Sequence, residues 1–292
     1  MTAPALKHPS EVTVDLVIPV LNEAHVLAGS VNTLRLYLLG SLPYRWRIVI
    51  VDNGSTDGTA DVGRRLAGQY SDVAFLQLEK RGRGRALRHA WTQSCVDLVC
   101  YMDVDLSTDL SALPVMFRAL VAEGYDLAVG SRLMRESRIR RCLNREIISR
   151  IYNVLVKAVL FTHFSDAQCG FKALTRQAVE RLVPRVQDQS WFFDTELLVL
   201  AEKLGYRIQD VPVTWNEDDD SRVKIVQTAW EDIKGVFRLR RFLWSKDFTL
   251  LARSVAKPPP ATAIPGIDVV KLTATAVSDP AVPATQVPRA AG

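Results

Sequence analysis

An α/β fold, with a mainly parallel sheet covered by helices on both faces, follows from three features of this chain. Short apolar runs alternate with helical stretches through the first 130 residues, the order expected of βαβ units. Runs such as Leu98 to Met102 are continuously apolar, as in strands buried on both faces. At 292 residues and 48% hydrophobic content, the chain can bury one large core with appendages.

Val12 to Val20 and Arg47 to Val51 read as strands, with a helix from Ala24 to Leu39 between them. Residues 51–70 give strand, turn and helix: Asn53-Gly54 marks the turn, and Ser55, Thr56 and Asp57 are candidate caps. Ala74 to Leu78 is a further strand, followed by a glycine-rich basic loop (RGRGRA, 81–86) and a helix through Ala86 to Gln93. The strand Leu98 to Met102 follows, then a helix around Leu113 to Glu123 and a strand at Asp126 to Gly130. From Arg145 to Phe164 apolar residues recur every three or four positions, the mark of an amphipathic helix. Trp230 to Leu251 repeats that pattern among basic residues. Either stretch alone fits ordinary core packing; two basic, aromatic-bearing amphipathic helices raise the alternative of lying in a membrane interface. Residues 257–292 hold seven of the fourteen prolines, few charges and no periodicity, and read as a disordered tail.

Four cysteines (Cys95, Cys100, Cys142, Cys169) have no paired CxxC spacing, and the four histidines are scattered. This argues against a zinc site or disulfide framework and fits a reducing cytosol; Cys95 and Cys100 fit as core filler. The first twelve residues lack the apolar segment of a secretory signal, and no run approaches the ~18 apolar residues that span a bilayer. A chain that is soluble, or rests on a membrane surface, is the expectation. The net charge of +5 is modest, but arginines cluster at 81–88, at 132–150 and at 238–241. Such clusters suit solvated faces, phosphates or anionic lipid; with no zinc-finger, RRM or helix-turn-helix signature, nucleic acid ranks last.

The most informative residues are Asp103 and Asp105, leaving the strand 98–102. Mg²⁺ and Mn²⁺ take carboxylate and phosphate oxygens, so acid–x–acid at a strand end suits holding such a cation against a diphosphate. Taken alone, a pair of this kind is more often a solvated turn, and its surroundings change the odds. Pro19 ends the first strand, and Asn22-Glu23 begin a loop at the edge where nucleotides bind in open α/β sheets. Asp52 lies one strand over; its carboxylate can accept from a uracil or guanine edge, or close an Asx turn onto Gly54. Arg83 stands between two glycines that let the backbone come close to a ligand.

Eight segments in order resemble inverting family 2 glycosyltransferases with the nucleotide-sugar-binding, Rossmann-like GT-A fold, and more closely the polyprenyl-phosphate (dolichyl-phosphate) hexose synthases. They are VIPVLNE (17–23), VDNGSTDGT (51–59), RGRGRA (81–86), DVDLS (103–107), GSR (130–132), DAQCGFKA (166–173), WFFDTELL (191–198) and VPVTWNEDDDSRV (211–223). The last three lie nearest the dolichyl-phosphate glucosyltransferase branch. The resemblance implies a GT-A domain over 12–225, with 145–164 as an interface helix, a basic amphipathic region over 226–253, and flexible ends at 1–11 and 257–292. It implies a metal-dependent hexosyltransferase, peripheral on the cytoplasmic face of a membrane, moving a hexose from a nucleotide sugar to a polyprenyl phosphate. UDP-glucose is the first choice of donor and GDP-mannose the second; an integral membrane partner is a further candidate. A GT-A transferase acting on a glycan or soluble acceptor, and an inactive scaffold of the same fold, are the alternatives.

Carried over position by position, the resemblance assigns Mg²⁺ or Mn²⁺ to Asp103 and Asp105, with Ser107 where the mannosyl branch often has glutamine. Donor binding falls to Pro19, Asn22, Glu23, Asp52, Arg83 (where the family has lysine), Asp103 and Arg222. The acceptor phosphate falls to Arg132, Arg145 and Ser149; arginine's planar fork suits bidentate phosphate binding. Asp103, Asp105 and Arg132 are the residues expected to matter most to catalysis. Asp166, Lys172, Asp194 and Glu196 are candidates for the sugar pocket, Glu196 being equally a helix-surface residue. The acidic run Glu217 to Asp220 reads as a solvated loop. A phosphate acceptor, with a second pKa near ~6, is substantially ionised at neutral pH, so a dedicated base is less necessary than for a sugar hydroxyl.

Overall fold

Strands β1 (Thr13–Val20), β2 (Arg45–Asn53), β3 (Val73–Leu78) and β4 (Leu98–Met102) form a parallel half-sheet in the order β3-β2-β1-β4. Helices α1 (Leu27–Ser41), α2 (Thr59–Gln69) and α3 (Arg83–Gln93) make the crossovers. Alternate side chains of the central strands enter different cores. Leu16, Ile18, Ile48 and Ile50 pack on one face with Leu34 and Phe117, whereas Val17, Val49 and Val51 pack on the other with Trp91 and Phe193. Burial on both faces is why these strands read as unbroken apolar runs. The computed structural model describes residues 9–140, 143–216 and 225–254, with side chains over 10–140, 146–216 and 230–253. The acidic run 217–220, Arg222, Cys142 and the segments 1–8 and 257–292 lie outside the described residues.

The second half of the sheet comprises β5 (Leu127–Ser131), β7 (Phe171–Thr175) and β8 (Ile208–Pro212), while β6 (Arg138–Arg140) pairs with β9 (Thr214–Asn216) in a two-stranded ribbon. The remaining helices are α4 (Ala112–Val121), α5 (Leu143–Leu160), α6 (Arg176–Leu182), α7 (Phe193–Lys203), α8 (Ile225–Leu243) and α9 (Lys246–Ser254). Strand β7 runs antiparallel between β4 and β5; every other pairing in the seven-stranded sheet is parallel. That reversal positions the site. Phe171 pairs with Met102, so the segment 166–170, entering β7, arrives beside Asp103 as it leaves β4.

Several boundaries differ from the sequence expectation, each for a local reason. Helix α3 begins at Arg83 rather than Ala86, because Gly84 lets its first turn press against α7: a Cβ there would stand 2.5 Å from Phe193 Cβ. Helix α5 ends at Leu160, where Phe161 turns left-handed (φ 53°). The C-terminal stretch is two helices, and the Ser245 hydroxyl between them caps α9 by accepting the Phe248 N–H at 3.2 Å. Of the caps proposed for α2, Asp57 accepts the Thr59 N–H at 2.9 Å. Cys100 and Cys169 are buried, but Cys95 is exposed and fills no core. Among the described residues, no helix is long and apolar enough to cross a membrane.

Candidate active site

The ends of β1 and β2 are stitched into one rim. Asn22 takes the left-handed conformation (φ 58°) that asparagine tolerates. Its N–H donates to Ser55 Oγ at 2.9 Å, and its Oδ1 accepts the Thr56 N–H at 2.8 Å. The Glu23 N–H donates to Thr59 Oγ1 at 2.8 Å, while Pro19 pairs with Val51 in the ladder below. Asp52 is fully buried, and its Oδ1 accepts the Ser55 N–H at 3.1 Å, so the turn closes on Ser55 rather than Gly54. Its Oδ2 and the Asn53 Oδ1 are buried with no partner among the described residues. Leaving such an acceptor unpaired costs roughly 1–3 kcal/mol. A ligand N–H at this rim would relieve it.

Beside this rim, acids and bases alternate. Asp103 is half-buried, and Asp105 is exposed with its Oδ1 accepting the Ser107 N–H at 3.0 Å. Arg83 Nη2 donates to Asp103 Oδ1 at 2.6 Å, and Arg83 Nε lies 3.9 Å from Asp194 Oδ2. Asp194 Oδ1 in turn lies 2.9 Å from Nζ of Lys172, which is fully buried, and accepts the Tyr101 hydroxyl. The Arg83 guanidinium sits over Trp191 at 5.0 Å and Tyr101 at 5.3 Å. Burial pushes the Asp103 carboxyl above its usual range; Arg83 and Lys172 oppose that, and Asp105 and Asp194 add to it. Gly170 makes the arrangement possible, since a Cβ there would stand 2.0 Å from Asp103 Oδ2 and 2.7 Å from Arg83 Nη2. Two carboxylates at an open strand edge fit a hard cation whose other ligands come from a diphosphate and water. Among the described residues, no three His, Cys, Asp or Glu side chains gather as a protein-only metal site.

Arg132 follows β5 and is buried, with its fork closed on Asp166. Nε reaches Oδ2 at 2.7 Å, Nη2 reaches Oδ1 at 3.0 Å, and the Arg132 N–H donates to Oδ2 at 3.2 Å. Burial alone would raise Asp166, but the Arg132 charge and hydrogen bonds outweigh it and bring the carboxyl down to about 2. The bidentate edge expected to take a phosphate is therefore engaged by a carboxylate, and both Asp166 oxygens are turned to Arg132. Ser149 is buried on α5 with an unpartnered hydroxyl. One turn on, Asn153 Nδ2 donates to the Ser149 carbonyl and Asn153 Oδ1 accepts the Ala167 N–H, both at 2.9 Å. Arg145 lies in the first turn of α5, but its side chain, like Arg222, is outside the described residues. Glu196 is buried rather than on a helix surface. It lies on the opposite side of α7 from Asp194, accepting Arg238 Nη2 at 2.8 Å and the Asp188 N–H at 2.9 Å.

Helix α5 is apolar on its outside. Ser149, Tyr152, Asn153, Val156 and Leu160 face inward, while Ile147, Ile151, Val154 and the following Phe161 are 54–66% exposed. On α8, Trp230, Phe237 and the adjoining Trp244 are likewise exposed. Arg240 joins the two surfaces, lying 4.7 Å from the Phe161 ring and 3.7 Å from the Trp244 ring. Tyr101, Trp191, Gly170 and Gln168 escaped the sequence reading as site residues, although all but Tyr101 fall inside the quoted segments.

Residues 15–183 match the family model described as Glycosyl transferase family 2. The glycosyltransferase AglD of Haloferax volcanii is 35% identical over 235 residues, which is 80% of this chain but 37% of AglD. A dolichyl-phosphate beta-glucosyltransferase of Trichomonas vaginalis is 29% identical over 256 residues, covering 83% of this chain and 76% of that protein. The fold is also that of glucosyl-3-phosphoglycerate synthase from Mycobacterium tuberculosis, crystallised with Mn²⁺, UDP-glucose and phosphoglyceric acid. The TM-score is 0.60 at 17% identity, over 78% of this chain and 79% of that one.

Proposed function

The chain belongs to glycosyl transferase family 2, a GT-A-fold enzyme drawing on a nucleotide sugar, and on that premise we propose that it transfers a hexose, with inversion, to a polyprenyl phosphate at a membrane surface. The observation that carries the acceptor is the two-faced α5. Its inward side offers the unpartnered Ser149 hydroxyl beside the segment that bears Asp166, and its outward side exposes Ile147, Ile151, Val154 and Phe161. Moving each such side chain from water to an apolar phase is worth roughly 1.5–3 kcal/mol. A ligand with a phosphate head and an apolar chain would use both sides at once. The dolichyl-phosphate glucosyltransferases among the relatives support the same acceptor class. The glucosyl transfer in their names also favours a glucose donor over a mannose donor.

Asp52 Oδ2 suits the ring N–H of a uracil, with Asn53, Asn22, Glu23 and Pro19 shaping the rim. Asp103 and Asp105 would hold Mg²⁺ or Mn²⁺, which supplies Lewis-acid neutralisation of the leaving diphosphate. Arg83, together with Arg222, would add positive charge there. Arg132 would offer Nη1 to the acceptor phosphate while Asp166 holds its plane fixed, and Ser149 and Arg145 would complete the grip. Lys172 and Asp194 would line the sugar. The acceptor is already ionised at neutral pH, so catalysis rests on positioning and charge stabilisation rather than on a base.

The test offers labelled UDP-glucose or GDP-mannose, with Mn²⁺ or EDTA, to the protein on liposomes containing a polyprenyl phosphate. Label moving into the lipid fraction from UDP-glucose, and blocked by EDTA, is the expected result. Transfer to soluble phosphate or glycan acceptors with no lipid product would overturn the acceptor assignment. Nucleotide binding without any transfer would point to a scaffold.

A further inference from the structure

Helix α8 lies beyond residues 15–183, the span that matches the family model, yet its inner face reaches the site. Gly235, Val236 and Leu239 are buried there, and a Cβ on Gly235 would stand 2.5 Å from the Phe192 ring. In this apolar stripe sits one carboxylate, Asp232, only 2% exposed. Its Oδ2 accepts Gln168 Nε2 at 2.8 Å, and its Oδ1 is buried without a partner. Gln168 is the middle residue of the segment 166–170. Its N–H donates to Asp166 Oδ1 at 3.0 Å, Asp166 clamps Arg132, and two residues on Gly170 touches Asp103 and Arg83. Helix α5 holds the same segment through Asn153 and Ala167. The α8 contact is the anchor on the other side.

We propose that Asp232 is a positioning residue for the transfer reaction: through Gln168 it fixes the segment 166–170, and with it Gly170 against Asp103 and Asp166 on Arg132. The inference rests on the transfer activity proposed above. The groups facing Asp232 are Asp188 from the loop before α7, Asp194 from α7, Tyr152 from α5, Gln168, and Glu231 on its own helix. Burial, then the Asp188 charge, pushes its carboxyl up to about 7. Uncharged, Asp232 sits quietly among these acids. Charged, it is repelled by Asp188 and Asp194, while the Gln168 hydrogen bond favours that form.

Two measurements on the full chain test this with Asp232→Asn, Asp232→Ala, Gln168→Ala and the double alanine variant. The first is amide hydrogen exchange over residues 167–170, which should speed roughly tenfold or more in every alanine variant. Asn at 232 keeps an acceptor for Gln168 and should stay close to wild type. The second is kinetics. Asp232→Ala and Gln168→Ala should each lower kcat by roughly 10- to 100-fold with little change in donor KM. The double variant should be no worse than either single one. Unchanged exchange, additive losses in kcat, or kcat near wild type in Gln168→Ala would each overturn the proposal. Gln168 is a half-buried polar residue, so its variant tests the idea even where Asp232→Ala does not fold. A wild-type protein making no lipid-linked sugar would refute the proposed function, and the exchange data would still decide whether Asp232 holds the segment.

Discussion

Replacing Gly170 with alanine should disable the donor site while sparing the fold. The added methyl would stand 2.0 Å from Asp103 Oδ2, 2.7 Å from Asp103 Cγ and 2.7 Å from Arg83 Nη2. Ordinary non-bonded contacts lie near ~3.5 Å, so Asp103 must retreat by more than ~1 Å. It cannot do so freely. Arg83 holds it at 2.6 Å and is itself tied to Asp194 and covered by Trp191. The segment cannot easily give either, because Asp166 and Asn153 fix it on two sides. A displacement of about 1 Å at reacting groups can cost roughly 100-fold in rate, equivalent to about 2.7 kcal/mol of transition-state stabilisation. Overpacking at one site should destabilise the fold by a further ~1–3 kcal/mol, visible as a modest fall in Tm. The assay pairs calorimetric titration of UDP, with and without Mn²⁺, against thermal melting. Metal-dependent binding should collapse while cooperative melting persists. A variant with wild-type UDP affinity in Mn²⁺ and undiminished turnover would refute the assignment of Asp103 to the donor site and the steric argument behind it.

Four further outcomes are expected. Asp105→Ala should abolish turnover and metal-dependent donor binding with Tm nearly unchanged, since Asp105 is exposed and, among the described residues, hydrogen-bonded within its own turn. Asp166→Asn should cost about 3–5 kcal/mol by denaturant titration, because it leaves the buried Arg132 charge uncompensated. Ile151→Glu with Val154→Glu should abolish flotation with anionic liposomes and leave UDP affinity intact; persistent flotation would remove α5 from the membrane face. The pH dependence of stability has two opposite limbs. Asp166, lowered to about 2, contributes stability above its unfolded pKa near ~4 that is lost as pH falls toward 2, roughly 2 kcal/mol in all. Asp232, raised to about 7, binds a proton in the fold that the unfolded chain releases, so stability falls as pH climbs from ~4 to ~7, on the order of 4 kcal/mol. Chemical denaturation between pH 3 and 8 should therefore peak in the mildly acid range, and Asp232→Asn should flatten the upper limb.

The first half of the fold was legible because its strands are buried on both faces and so announce themselves as apolar runs; β4 has the bounds Leu98 and Met102 that its run suggests. Strand β7 was not legible in the same way. It is five residues long, pairs with strands about 45 and 70 residues earlier in the chain, and follows no hairpin turn. The start of α3 was missed because glycine at 84 looks like a loop residue, whereas here it permits close packing on Phe193. Among site residues, Asp52, Asp103 and Asp105 stood out as carboxylates ending apolar strands. Which partner each basic residue takes is a different kind of information. Arg132 is visible as a residue type, but its engagement by Asp166, 34 positions away, depends on where β7 enters the sheet.

The antiparallel β7 explains why the proposed donor and acceptor sides share one short segment. A strand running against β4 must be entered at the edge where β4 ends, so residues 166–170 have to pass Asp103. The same segment has to pass Arg132, because β5, the other neighbour of β7, runs parallel to β4 and ends at the same edge. One stretch of five residues thus touches both Asp103, proposed to serve the donor, and Arg132, proposed to serve the acceptor. Any element that grips it acts on both at once. Helix α5 grips it through Asn153 and α8 through Asp232. These two helices also carry the exposed Ile151, Val154, Phe237 and adjoining Trp244. Docking those faces on a bilayer would load the two anchors of the segment together, so membrane contact and site geometry share the same pair of helices.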